Sequence, residues 1–152
     1  MLSDAFRTLG IQPSEASSVL AVGWATVELD RAARELGSAF DLDFVDVAGS
    51  IHLGCACRRS VATVDGVHVV LLEPTTEGRL AVTLARHGEG LAAAWLHERA
   101  APGGPAKPAE SALKRTTSAS RPGPFGTERL VLGGSRGGPH HLLVRGTTIR
   151  MP

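Results

Sequence analysis

The chain has 152 residues, 43% of them hydrophobic, which suits one ordinary domain or two small, tightly joined modules with a sizeable core. Only 4% are aromatic, so Ala, Val and Leu must build that core. The net charge of +1, from 16 basic and 15 acidic residues, leaves no basic footprint for nucleic acid. No apolar run reaches the roughly 18 residues of a membrane span. The start "MLSDAFRTLGIQPSE" lacks the basic and apolar regions of a signal peptide, so a cytoplasmic protein is expected.

Residues 1–18 read as an N-terminal extension, with a short helix at 3–10 capped by Ser3. "VLAVGWATV" (19–27) is a Val-rich strand carrying Trp24. "ELDRAARELG" (28–37) is a helix with Leu29, Ala32, Ala33 and Leu36 on one stripe. Its Asp30–Arg34 and Arg31–Glu35 pairs are spaced i,i+4, and Gly37 stands at its C′ position. "DFVDVAG" and "IHLGCACRR" alternate as strands. "SVATVDGVHVVLLE" is a hairpin turning at Asp65-Gly66. Residues 19–74 thus spell a first β-α-β-β-β module.

Residues 75–90 form a connecting helix with Leu80 and Leu84 on one face. "LAAAWLHE" (91–98) opens a second, degenerate β-α-β-β-β module that runs to 152. Residues 101–126 are rich in Pro and Gly and read as a flexible loop with a short helix at 109–116. "KRTTSASR" within it is a solvated, basic stretch placed to lie over a cleft. "ERLVLGG" and "HHLLVRGT" close the module as a hairpin through "GGSRGGP", which lacks the context of a phosphate loop.

"VVLLEPTTEGRLAVTLARHGEGLAAAW" resembles the run in epimerase-like members of the vicinal oxygen chelate superfamily, which includes glyoxalase I, methylmalonyl-CoA epimerase, bleomycin-resistance binding proteins and extradiol dioxygenases. "VLAVGWATVELDRAARELG" is similar to the opening strand and helix, and "GPFGTERLVLGG" with "GGPHHLLV" to the closing hairpin. The resemblance implies an α+β fold of two βαβββ modules whose open, curved mixed sheet surrounds a cleft. A homodimer is implied too, since members often pair modules between subunits.

In that family His, Gln and Glu side chains from the first and fourth strands of each module hold a divalent metal, which acts as a Lewis acid. Carried onto this chain, those positions fall at Ala21, Val70, Ala92 or Ala93, and Leu142, give or take a residue or two at the last. None can bind a metal. A metal-independent protein without a cofactor is therefore expected, with a small-molecule ligand as its partner.

Strand alternation then assigns the cleft face. Ala21, Gly23 and Ala25 face in, leaving room for a ligand. His68, Val70 and Leu72 face in on another strand, Leu91, Ala93, Trp95 and His97 on a third, and His140, Leu142 and Val144 on the last. An apolar wall with few polar groups is the usual make-up of a ligand site. Trp95 could offer a flat stacking face, but reads more simply as a core residue. His68 and His140 hold matching places and are candidates for acid–base catalysis, against the plainer reading as hydrogen-bonded sheet residues. His141 points the other way, and Glu73 lies opposite Val70. His52, Cys55 and Cys57 would make a metal set with no visible fourth ligand, and the C-x-C reads more simply as two small strand residues. The leading expectation is a binding protein for a small, largely apolar or acyl-type molecule, of the sequestration or resistance type. The alternative is an epimerase, isomerase or cyclase acting on a carbonyl compound.

Overall fold

The computed structural model describes residues 19–97, 118–131 and 141–145. The helices expected at 3–10 and 109–116, the "GGSRGGP" turn and His140 lie outside them, as does most of the Pro/Gly-rich stretch.

Eight strands form one sheet in the order β2-β3-β4-β1-β5-β8-β7-β6. They are β1 (Val19–Ala25), β2 (Phe44–Ser50), β3 (Cys55–Ser60), β4 (His68–Pro74), β5 (Gly90–His97), β6 (Arg121–Gly123), β7 (Gly126–Leu130) and β8 (His141–Arg145), with helices α1 (Leu29–Phe40) and α2 (Arg79–His87). β1 pairs parallel with β4 and β5 parallel with β8, while the remaining neighbours are antiparallel. Each half therefore has the same pairing pattern, and β1 and β5 join the halves antiparallel at the centre.

Local chemistry explains most of the elements. Asp65 and Gly66 both have positive φ, 53° and 80°, the signature of a type I′ turn between β3 and β4. α1 buries Leu29 and Ala32 against Leu71 on the sheet. Its first N–H groups find no side-chain cap on Glu28. Instead Glu89, from the turn before β5, accepts from Val27 N–H at 2.9 Å and from Thr26 Oγ1 at 2.6 Å. Arg31 joins the same carboxylate at 2.6 Å.

The structure revises several boundaries. α1 runs past Gly37 to Phe40 and ends at Asp41, which adopts the left-handed conformation. Phe40 and Leu42 pack against the outer sheet face, and that burial carries the helix beyond the glycine. Asp30 pairs with Arg58 of β3 at 2.7 Å, whereas Arg31 pairs with Glu35 as spaced. Residues 51–54 form a turn rather than the start of a strand, because Gly54 takes a positive φ of 69°. The connecting helix spans Arg79–His87 only. Within the expected loop, Arg121–Gly123 pairs with β7. Pro122 is tolerated there because β6 is an edge strand, where one missing N–H costs no ladder bond.

The sheet curls until its two edges meet. Ile51 N–H donates to Pro122 O at 3.3 Å, and His52 Nε2–H reaches Ala119 O at 2.9 Å. The curled sheet encloses Ala21, Ala25, Cys55, Cys57, Val70, Leu72, Ala93, Trp95, Leu130 and Leu143. α2 covers one end by adding Leu80 and Leu84 to this cluster, together with Leu53. Full burial of Leu53 and of Leu80 contributes about 1.5–3 kcal/mol each. Among the described residues, no helix is long and apolar enough to cross a membrane.

Candidate functional site

The interior brings together most of the residues expected to line the cleft. Ala21, Val70, Ala93 and Trp95 are fully buried. Gly23 pairs with Ala93 across the central seam, and its missing side chain leaves no free room. A Cβ there would stand 2.8 Å from both Trp95 Cζ3 and Leu72 Cδ1. The indole thus fills the volume that alternation alone reserves for a ligand. No face of Trp95 is open to solvent, in keeping with its reading as a core residue rather than a stacking face.

Other expected residues sit elsewhere. Leu142 packs on the outer face with Leu96 and Ala94, and Leu143 is the inward residue of β8. His141 shares the inner side with Leu143 by alternation, and its Nε2 lies 2.7 Å from Thr83 Oγ1 of α2. Leu91 also packs outside, because a register shift between Gly23 and Trp24 leaves Ala92 as an extra residue on β5. His97 is exposed at the end of β5. His68 lies beside Ala21 on the inner face, half-buried, with Nδ1–H donating to Ser60 O at 3.0 Å. That bond leaves Nε2 as the free end of the ring.

Two polar features escaped the sequence reading. The first is Glu128, which is 2% exposed. Its Oε1 accepts from Trp95 Nε1–H at 2.9 Å, and its Oε2 meets Ser50 Oγ at 2.6 Å. Ser50 Oγ also accepts from Leu53 N–H at 3.3 Å. Burial pushes the Glu128 carboxyl above the usual range, opposed by its bonds to Ser50 and Trp95. Gly123 makes the carboxyl's place, for a Cβ there would overlap Glu128 Oε1. Glu128 stands two residues before inward Leu130 along "TERL" and so shares its face, a signal that the strand pattern held.

The second is a rim at the end opposite α2. Arg59 follows Cys55 and Cys57 on the inner face of β3 and stands beside Val70. Its guanidinium carbon lies 5.7 Å from the centroid of Phe125, at the β6–β7 turn. The Phe125 ring is 5.9 Å from His68 and 6.0 Å from Trp95, centroid to centroid. Arg59 Nε is buried without a hydrogen-bond partner. Arg59, His68 and Phe125 thus form a half-buried, cationic and aromatic rim above the indole.

The described residues do not fit a metal of the kind the fold is associated with. The inward positions Ala21, Val70, Ala93 and Leu143 present only hydrocarbon. Cys55 and Cys57 lie Sγ to Sγ at 3.9 Å, and their mutual hydrogen bond with burial holds the Cys57 thiol far above its ordinary range. Two thiols supply only half of the four ligands that a structural zinc site needs. Among the described residues, no group of three His, Cys, Asp or Glu side chains is placed to hold an ion.

No protein-family model and no curated protein matches the chain. Solved structures do. Methylmalonyl-CoA epimerase from Mycobacterium tuberculosis superposes with a TM-score of 0.64 at 16% identity, over 84% of this chain and 86% of that one. The Streptomyces coelicolor methylmalonyl-CoA epimerase, as a variant in complex with 2-nitronate-propionyl-CoA, gives 0.63 at 18% identity, over 86% and 98%. A hypothetical protein from Bacillus halodurans gives 0.63 at 13%, over 88% and 97%. With the strand order, these likenesses establish that the chain has the vicinal oxygen chelate fold, an α+β architecture of curved mixed sheet.

Proposed function

We propose that this chain is a metal-independent binding protein of the vicinal oxygen chelate fold, whose ligand is a small, largely apolar or acyl-type molecule. The observation that carries the reading is the wall itself: Ala21, Val70, Ala93 and Leu143 turn hydrocarbon toward the interior where this fold's metal chemistry needs donors. A ligand would enter at the Arg59–His68–Phe125 rim by displacing Phe125, which is half-buried and sits at a two-residue turn on the sheet edge. The apolar part would then lie against Trp95. Sequestration, a cytoplasmic setting and a homodimer belong to the same proposal.

One observation favours a second reading. His68 is anchored through Nδ1 with Nε2 unengaged by that bond, as a general base requires, and two of the structural neighbours named above are epimerases. On this reading His68, with His140, would move a proton alpha to a carbonyl in an epimerase, isomerase or cyclase reaction.

Native mass spectrometry of the purified chain tests the proposal, first as isolated and then with Zn²⁺, Ni²⁺ or Mn²⁺. The expected spectrum shows no retained ion and reads subunit number and co-purified ligand together. One tightly held ion per subunit would overturn metal independence. Deuterium uptake alpha to the carbonyl of an acyl thioester in heavy water, lost in His68→Gln, would replace the binding reading with the catalytic one.

A further inference from the structure

Arg59 is the one described inner-face residue of β3 whose side chain ends in a charge, since Cys55 and Cys57 precede it. A half-buried guanidinium normally sits against a carboxylate, because burial removes water from its five donors. Arg58, its neighbour, does so twice, with Asp30 at 2.7 Å and Asp46 at 2.9 Å. Arg59 makes no ion pair among the described residues, and its buried Nε has no acceptor. Its contact is with the Phe125 ring, which consumes no donor. A buried N–H left unmade costs about 1–3 kcal/mol, so the position favours an acceptor beyond the described residues.

We infer that Arg59 is an oxyanion receptor at the mouth of the interior, and that the ligand carries a carboxylate or a phosphate next to its apolar part. The inference rests on the binding reading above and narrows its ligand class. The oxyanion accepts from Arg59 Nε–H and an adjacent Nη–H in the fork geometry that guanidinium offers both groups. The chain of the ligand runs inward past Phe125 toward Trp95, and His68, 5.9 Å from the same ring, borders the other side of the mouth.

Calorimetric titration of the full chain with octanoate, octyl phosphate and 1-octanol tests this. The three share a tail and differ in the head, so the first two separate a carboxylate ligand from a phosphate one. At least one anion is expected to bind about tenfold more tightly than octanol. Arg59→Met should reduce the anion to the level of octanol, while Arg59→Lys keeps part of the difference. In the wild type, raising KCl should weaken the anion and leave octanol unchanged, a readout that needs no variant to fold. Equal binding of all three, or an anion preference that survives in Arg59→Met, overturns the oxyanion receptor and leaves the apolar site standing. Binding of none of the three overturns both.

Discussion

Removing the Glu128 carboxyl should reveal how the curled sheet is held closed. In Glu128→Ala, Trp95 Nε1–H loses its acceptor at 2.9 Å and Ser50 Oγ its partner at 2.6 Å, both inside the protein. A buried polar group left unsatisfied costs about 1–3 kcal/mol, and the vacated volume adds to that. We expect a loss of about 3–4 kcal/mol at pH 5, a large part of the 5–15 kcal/mol that holds a typical domain together. Glu128→Gln keeps an acceptor for the indole and offers an N–H to Ser50, so its loss should stay within about 1 kcal/mol. The pH dependence has a definite sign. Burial raises the carboxyl's pKa, so the folded state favours the protonated form. That contribution is present below the ordinary carboxylate range and is lost as pH rises through the folded value. Wild type should therefore lose stability relative to Glu128→Gln as pH rises above the ordinary carboxylate range. Urea unfolding followed by tryptophan fluorescence measures all three proteins. An Ala variant within about 1 kcal/mol of wild type, or a wild type that gains on Gln as pH rises, would refute the role of this buried node.

Gly23→Ala should destabilise the fold by about 1–2 kcal/mol, because overpacking against the indole and Leu72 outweighs the roughly 0.5–1 kcal/mol that alanine regains over glycine in a strand. Thermal unfolding reads it, and a neutral result would mean that Trp95 readily vacates the interior. Glu89 is held down to about 2 by its bonds to Thr26, Arg31 and Val27, so its contribution is present above the ordinary carboxylate range and lost as pH falls from about 4.5 toward 2. The side chain is 31% exposed and screened, which limits the contribution to about 1 kcal/mol. Acid titration of wild type and Glu89→Gln by circular dichroism should show a shallower loss in the variant, and superimposable curves would dismiss the carboxylate as the tie between α1 and β5.

Much of this molecule is written in short-range pattern. Period-two alternation and the Asp65-Gly66 turn mark β3 and β4 as a hairpin, and the stripe of Leu29 and Ala32 marks α1. The hydrocarbon at Ala21, Val70 and Ala93 is equally legible, because residue type alone rules out coordination. What alternation cannot carry is its own parity across an irregularity. One extra residue at Ala92 sends Leu91 to the outer face, and an offset of one on β8 exchanges Leu142 for Leu143. Nor can it show what arrives from distant strands. Glu128 meets Ser50 across 78 positions, and Phe125 reaches Arg59 from the opposite edge. Those contacts exist because the sheet curls until its edges touch, and that curvature sums small twists over eight strands. No local stretch contains the sum, so a glycine that looks like open space along β1 becomes the floor beneath a buried indole.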